Sequence, residues 1–379
     1  MNRRSLLRTF SCFASCVLLL ASAAYGQTAW EEVARLATPD HFRDLATDGR
    51  HLVLGLSNPG MAQVYGREAG GWVVEDSLLG GGNCAVEDDW IAVTVGGSGG
   101  FVRLYQDTPS GWELVQTLFD PTPGGSYGRD LVLENGVLVV GDPMLGDGTS
   151  SDVHVYLLES GQWILAQTIP GPAAAGGDDA FGLRVALSGS RLAVSAPAWT
   201  STGSVFVYER TVGPFVEVDL IQGPIGTKAF GAELDLLDNT LLVGSTGQPP
   251  FGGVRGSLNI YEHSRGAWHL ARRMTDPDAD PESGFGLHLA LGRDVVAASS
   301  PYGGVSLPPA KIFTLHRIGG RWVRTGRIDS PTSLRNMGDA LGFVGPELLA
   351  TSRIVGTTGY LHQFRSTFAR KPAVRPRGR

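Results

Sequence analysis

Residues 178–199, DDAFGLRVALSGSRLAVSAPAW, hold two short apolar runs, 183–187 and 191–195, split by Ser188-Gly189-Ser190. Apolar, partly β-branched runs on either side of a Ser-Gly turn predict an antiparallel strand pair. A third run at 204–208 and a fourth starting at Phe215 complete a unit of four strands. This outline returns along the chain. A tyrosine is followed seven residues later by a tryptophan at Tyr65/Trp72, Tyr105/Trp112, Tyr156/Trp163 and Tyr261/Trp268, while Tyr208/Phe215 and Leu315/Trp322 keep the spacing with one aromatic exchanged. Counted from Trp30, the tryptophan-type positions are 42, 40, 51, 52, 53 and 54 residues apart, a period that belongs to propeller arrays.

Seven second strands fall near Leu52, Ile91, Leu138, Leu192, Leu241, Val295 and Leu348, but only six fourth strands follow their own unit, starting at 72, 112, 163, 215, 268 and 322. Residues 30–36, WEEVARL, are a spare fourth strand at the opposite end of the array. Docked beside 360–364, they would close a ring and remove its exposed strand edges. The expected fold is therefore all-β. It is a seven-bladed β-propeller of four-stranded blades over residues 27–368, closed by the N-terminal strand pairing into the last blade.

Composition agrees with this: 53 glycines and 22 prolines among 379 residues suit a turn-rich chain. Residues 1–26 read as a signal peptide, with Arg3, Arg4 and Arg8 in front of an apolar stretch and Ala24-Tyr25-Gly26 as a small-residue exit. Both an ordinary secretory signal and a twin-arginine signal fit, and either implies export to the periplasm or the extracellular space. No later run is long enough to span a membrane. Cys12 and Cys16 leave with the signal, so Cys84 is the lone mature cysteine, expected to be a buried, inert thiol. The mature chain carries 28 basic against 37 acidic residues, a balance that argues against nucleic acid as a partner. Residues 369–379 read as a basic, disordered tail.

The units resemble FG-GAP repeats, as in integrin α propellers and secreted bacterial propellers. Phe181-Gly182, Phe230-Gly231 and Phe285-Gly286 match the first half of that motif, with Tyr127-Gly128 a variant. Ser195-Ala196-Pro197, Gly141-Asp142-Pro143 and Ser299-Ser300-Pro301 are degenerate forms of the second half, fourteen residues after the aromatic. Blades 1, 2 and 7 lack the Phe-Gly pair and are assigned by spacing. Kelch repeats share the Tyr-to-Trp interval but want a double glycine ending the second strand, found here only at Gly96-Gly97.

The resemblance implies calcium loops between strands 1 and 2, yet this chain has only short turns there, such as Ser188-Gly189-Ser190 and Asp238-Asn239. No family-type metal site and no cofactor are expected. Asp276-Pro277-Asp278-Ala279-Asp280 starts like a calcium loop, but Pro281 stands where such a loop needs glycine. It reads as a polar loop between blades. No zinc-protease helix motif, nucleophile elbow or phosphate loop is present, so no catalytic residue is assigned.

One constellation stands out. Three residues past the motif aromatic, where innermost strands begin, lie Asp130, Arg184, Glu233 and His288, and spacing back from the second strands adds Asp44, Asn83 and Ala340. Six of these seven are polar. They are expected to ring the upper mouth of the central channel as a ligand site, with Trp199, Phe251 and Tyr302 offering stacking surfaces above them. The alternative is a wet channel whose charges compensate, three acids against Arg184 and His288. The expected function is a monomeric, exported, non-enzymatic module binding a protein or carbohydrate through its upper-face loops and this ring. The alternative is a propeller-scaffold hydrolase or lyase using the axial carboxylates.

Overall fold

The structure is a computed structural model describing residues 29–38, 42–56, 60–96, 100–122, 124–144, 151–172, 179–246, 255–278, 283–302, 309–331, 334, 336–353 and 359–367. The signal at 1–26, the tail at 369–379, Phe251 and residues 279–280 of the 276–280 loop lie outside the described residues. Within them the chain forms seven four-stranded antiparallel sheets and no helix, so the fold is a seven-bladed β-propeller.

Blade 4 is built from Val185–Ser188, Arg191–Ala196, Ser204–Glu209 and Val216–Gln222, paired in chain order. Second strands such as His51–Leu56 and Val137–Asp142 are buried on both faces because each blade is covered by a neighbour on either side. That is why they read as unbroken apolar runs rather than alternating ones. The first strands are the innermost: Phe42–Thr47, Cys84–Glu87, Asp130–Glu134, Val185–Ser188, Leu234–Leu237, Leu289–Gly292 and Leu341–Val344. Each contacts the next, and the seventh contacts the first, so they form a closed cycle around the axis.

The ring closes as the spare strand requires. Trp30–Thr38 pairs antiparallel with Gly359–Ser366, Trp30 opposite Ser366 and Thr38 opposite Gly359, and becomes the outer strand of blade 7. The Trp30 indole Nε1 donates to Thr314 Oγ1 of blade 6 at 2.9 Å, and its ring stacks on His316.

The seven-residue interval from tyrosine to tryptophan has a geometric origin. In the third hairpins of blades 3, 5 and 6 the turns Ser160-Gly161, Arg265-Gly266 and Gly319-Gly320 have positive φ at both positions, the type I′ geometry that suits twisted strands. Three residues after each tryptophan-type position an extra residue shifts the register: Glu75, Val115, Ala166, Val218, Ala271, Thr325 and, after Trp30, Val33. Every outer strand therefore carries one bulge at one place. A bulge bends and twists an edge strand away from flat pairing, which protects edges that bear exposed Val74, Val115 and Leu165.

The core lies in the seams. Seven buried apolar clusters each draw on two adjacent blades; the cluster spanning blades 3 and 4 runs from Val139 and Val153 to Phe181, Val194 and Phe206. Leu45, Leu52 and Tyr65 of blade 1 pack with Leu349 and Leu361 of blade 7, with Leu36 of the closing strand against them. Trp163 and Phe215 are buried, and each accepts a two-point clasp from the preceding blade. Gln116 exchanges both of its amide groups with the Trp163 backbone, and Gln167 does the same with Phe215.

The Phe-Gly pair also has a physical reading. Gly182 sits at φ +81°, and a Cβ there would lie 3.0 Å from Asp152 O and from a Val153 methyl. Its carbonyl in turn approaches to 2.1 Å of the place where a Cβ on Gly141 would stand. Only glycine permits this approach between blades. Met337-Gly338 makes the same contact in blade 7, with φ +88° at Gly338 and Met337 in the seam core, fourteen residues before Thr351. Blade 7 thus retains the glycine and replaces the aromatic with methionine.

Candidate functional site

The seven ring positions converge. Asp44, Asn83, Asp130, Arg184, Glu233, His288 and Ala340 all line one cavity at the axis, at or just before the inner strands. The space open to the centres of water-sized molecules is about 60 Å³, enough for a few waters and far below a typical small-molecule pocket. The spacing argument therefore places the ring, including the members inferred only by counting back from second strands. Arg43 and Asp339, each one residue before a ring position, also face the cavity and form its rim. The sequence reading missed them because it sampled one position per blade.

Within the ring, charges are committed to neighbours. Arg184 Nε donates to Glu233 Oε2 at 2.9 Å, and Arg184 Nη1 lies 4.0 Å from Asp130 Oδ1. Asp130 Oδ2 accepts the Val185 backbone N–H of the next blade at 2.8 Å. Asp44 repeats that relationship one seam earlier, accepting from Cys84 N at 2.9 Å, while its other oxygen takes Leu45 N. Asn83 Nδ2 donates to Arg129 O, again across a seam. The same device recurs further along the inner strands: Glu87 accepts from Asn135 N, Glu134 from Gly189 N and Asp235 from Leu291 N. Carboxylates on the inner strands act as clasps onto the following blade.

Burial raises the acids. Desolvation pushes Asp130 up to about 6 and Glu233 up to about 8, against the pull of the Arg184 guanidinium, and the facing carboxylates add to the rise. Asp44 is raised by the same cause. Arg184 loses hydration too, but the combined charges of Glu233, Asp130 and Asp44 outweigh that loss and hold it protonated, above its ordinary value. His288 is the correction to the compensating-charge picture. Burial, helped by Arg184, lowers its imidazole to about 3, so it contributes no positive charge near neutral pH. Arg184 therefore faces Glu233, Asp130 and Asp44 without help from the histidine.

The stacking candidates separate. Trp199 is half-buried and packs its ring 5.2 Å from Phe206 in the blade 3–4 seam, so it serves the core. Tyr302 is 39% exposed and close enough to Asp339 for the carboxylate to raise its phenol, after burial has done so. It is not part of the cavity lining but lies on the Asp339 side of it. Phe251 lies outside the described residues. Cys84 is buried, with Sγ 3.5 Å from Val53 O, and burial followed by the nearby Asp44 charge pushes the thiol well up. It is the inert thiol expected.

The described first-to-second-strand turns are too tight to wrap a cation; Asn135-Gly136 is a two-residue hairpin with positive φ at both positions. Asp276 is buried and spends its oxygens on Asp278 N and Ser283 Oγ, while Asp278 pairs with Lys311. A group of side chains close enough to share an ion lies elsewhere, at Asp120, Asp142 and His154.

No protein-family model matches the chain, and no curated protein matches it. Solved structures do. The β-propeller domain of Cps50 (Swd1) from Myceliophteria thermophila aligns with a TM-score of 0.58 at 12% identity, covering 89% of this chain and 99% of that one. At that identity the likeness speaks for the seven-bladed architecture alone. Among the described residues no helix is long and apolar enough to cross a membrane.

Proposed function

We propose that the chain is an exported, non-enzymatic propeller of the FG-GAP type that binds a protein or carbohydrate partner at its upper mouth, as a monomer. The observation that carries this reading is the commitment of the axial acids. Asp44 and Asp130 are held by backbone N–H groups of the next blade, and Glu233 by Arg184, beside a cavity that accommodates waters rather than a substrate. Propellers commonly serve as interaction scaffolds, and functional groups on such scaffolds lie on the loops at one end. Here the rim offers Arg43 and Asp339 around a clasped ring, with exposed Tyr302 near Asp339. An aromatic beside mixed charges suits a sugar ring or a polar protein segment.

The test is a glycan array and a crosslinking capture with the chain from residue 27 onward, followed by titration of the retained molecule. Tyr302→Ala and Arg43→Ala should each weaken binding at least tenfold while the fold survives. Undiminished binding by both variants would move the interface away from the mouth.

The alternative, a hydrolase or lyase, draws on one observation: Glu233 is held near 8, where a general acid works, in a cavity it shares with Asp130. A panel of chromogenic glycosides and polysaccharides separates the two readings. Turnover that Glu233→Gln abolishes would replace the binding module with an enzyme.

A further inference from the structure

We propose that Asp120, Asp142 and His154 form a binding site for one divalent transition-metal ion, with Zn²⁺ the expected occupant. One ligand atom from each residue lies within 4.8 Å of the other two. Asp120 follows the outer strand of blade 2, whereas Asp142 and His154 lie on the second and third strands of blade 3. An ion there would tie the crossover between blades to the blade it enters. The site is separate from the axial cavity.

Three observations carry the assignment. First, the group is built of buried polar atoms that the protein does not satisfy: Asp142 is 1% exposed and His154 fully buried, and neither Asp142 Oδ1 nor Asp120 Oδ2 meets a hydrogen-bond donor among the described residues. Burying such oxygens without a partner is costly, and a cation would satisfy both. Their other oxygens are used, Asp120 Oδ1 accepting from Thr122 N and Asp142 Oδ2 lying 3.6 Å from His154 Nε2.

Second, the surroundings orient the imidazole. His154 Nδ1 is 3.2 Å from Thr168 Oγ1, and Nε2 faces Asp142 with Thr122 Oγ1 at 3.4 Å. In the tautomer whose Nδ1–H donates to the Thr168 hydroxyl, the Nε2 lone pair is left for a metal, the usual second-layer arrangement around a metal-bound histidine. Thr122 Oγ1 also donates to Asp152 Oδ2 at 3.0 Å, which positions the loop. A Cβ on Gly125 would stand 2.0 Å from Asp142 Oδ1, so this loop reaches its place over the carboxylate only with glycine.

Third, an apolar side chain serves equally well at this register in two other blades. His154 faces Val140 across its sheet as Phe206 faces Val194 and Phe313 faces Ala298 in blades 4 and 6, and the motif aromatic packs against each at 5.5–5.8 Å. Asp142 stands where blade 4 has Ala196. Blade 7 also has a histidine at this register, His362 opposite Ala350 and beside Glu32, but among the described residues two carboxylates gather around the imidazole in blade 3 alone. The donor set selects the metal class. Ca²⁺ and Mg²⁺ want oxygen ligands throughout, whereas an imidazole with two carboxylates and no thiolate suits zinc or its neighbours.

The test uses the chain from residue 27 onward, freed of metal by chelation and dialysis. Titrated with ZnCl₂, it should bind one equivalent by calorimetry and elemental analysis, and its melting temperature should rise. Asp120→Ala and His154→Phe should each lose the stoichiometric ion and the thermal shift. The second variant installs the side chain that blades 4 and 6 already carry there, and the first lies outside the strands, so circular dichroism should find both folded. Thr168→Val should weaken binding about tenfold or more through the histidine's orientation. A hundredfold excess of Ca²⁺ should not displace the ion. No uptake by the parent, uptake that survives both ligand substitutions, or displacement by Ca²⁺ would each overturn the assignment.

Discussion

Arg184 and Glu233 occupy the same register of adjacent innermost strands, with Nε and Oε2 2.9 Å apart, and the Arg184 guanidinium also lies 4.0 Å from Asp130. The three side chains retain only 18–21% exposure, so their interaction is weakly screened by solvent. Above about pH 8, where Glu233 is ionised, removing Arg184 alone leaves Glu233, Asp130 and Asp44 as a partly buried group of like charges. Arg184→Ala is expected to cost about 3–5 kcal/mol, as for other broken buried pairs. In the double variant Arg184→Ala, Glu233→Ala the loss should be smaller than the sum of the single losses, with a coupling of about 1–3 kcal/mol. Urea denaturation of the four proteins measures it. Additive losses would show that the pair is not coupled.

The same group sets a pH dependence of stability. Glu233 is raised from 4.5 to about 8 and Asp130 from 3.8 to about 6 on folding. Between those values the native state binds more protons than the unfolded chain, so stability must fall as pH rises. The contribution is complete below about pH 4, is lost progressively to about pH 8, and changes no further above that. Melting temperatures across pH 4–9 should therefore decline toward the alkaline side, and Glu233→Gln should flatten the upper half of that decline. A carboxylate stabilised mainly by its arginine would give the opposite slope.

How far the sequence carries depends on whether a feature repeats. The blades and the closing strand were legible because their aromatic spacing recurs and a missing fourth strand at one end matched a spare one at the other. The axial ring was legible for the same reason, since one register position repeated over seven blades must face one axis. What that register could not convey is pairing. Asp44 and Asp130 read as site acids until their oxygens are seen on Cys84 N and Val185 N, and His288 reads as a cation until its burial is known. Met337-Gly338 escaped because the pair was sought by its aromatic, whereas the positive φ and the close seam contact make the glycine the constrained member. Asp120, Asp142 and His154 come from three separate stretches in a single blade junction, so no spacing repeats to announce them.

Gly338 allows a direct measurement of that constraint. Its φ is +88°, and a Cβ would lie 2.6 Å from the Ser299 Cβ across the seam between blades 6 and 7. Gly338→Ala adds a left-handed strain of about 1–2 kcal/mol to a backbone-level clash and should cost about 2–4 kcal/mol in total. Gly189→Ala is the control, because its φ of +59° carries the strain while nothing lies within 4 Å of the new methyl. It should lose only about 1 kcal/mol. Equal losses in denaturant titrations would mean that seam contact contributes nothing to the requirement for glycine.

Ring closure gives the largest expected effect. Deleting residues 27–38 removes the whole of Trp30–Thr38, leaving Gly359–Ser366 as an unpaired edge and stripping Leu36 from the blade 7–1 seam and Trp30 from the blade 6–7 seam. Glu347 still links blade 7 to blade 1 through Arg67 at 2.8 Å, but one ion pair cannot replace a strand and two apolar anchors. A bare edge also invites pairing between molecules. The truncated chain should melt at least 10 °C below the parent, within the shift that a loss of several kcal/mol produces in a domain of this size, and should associate as its concentration rises. Trp30→Ala, which keeps the strand but loses the indole and its bond to Thr314, should fall between the two, at a cost of about 2–3 kcal/mol. Trimming residues 369–379 serves as the comparison and should leave the melt unchanged. If the two truncations melted alike, the stability of the ring would have to reside in the seven seams alone, with the shared blade adding nothing.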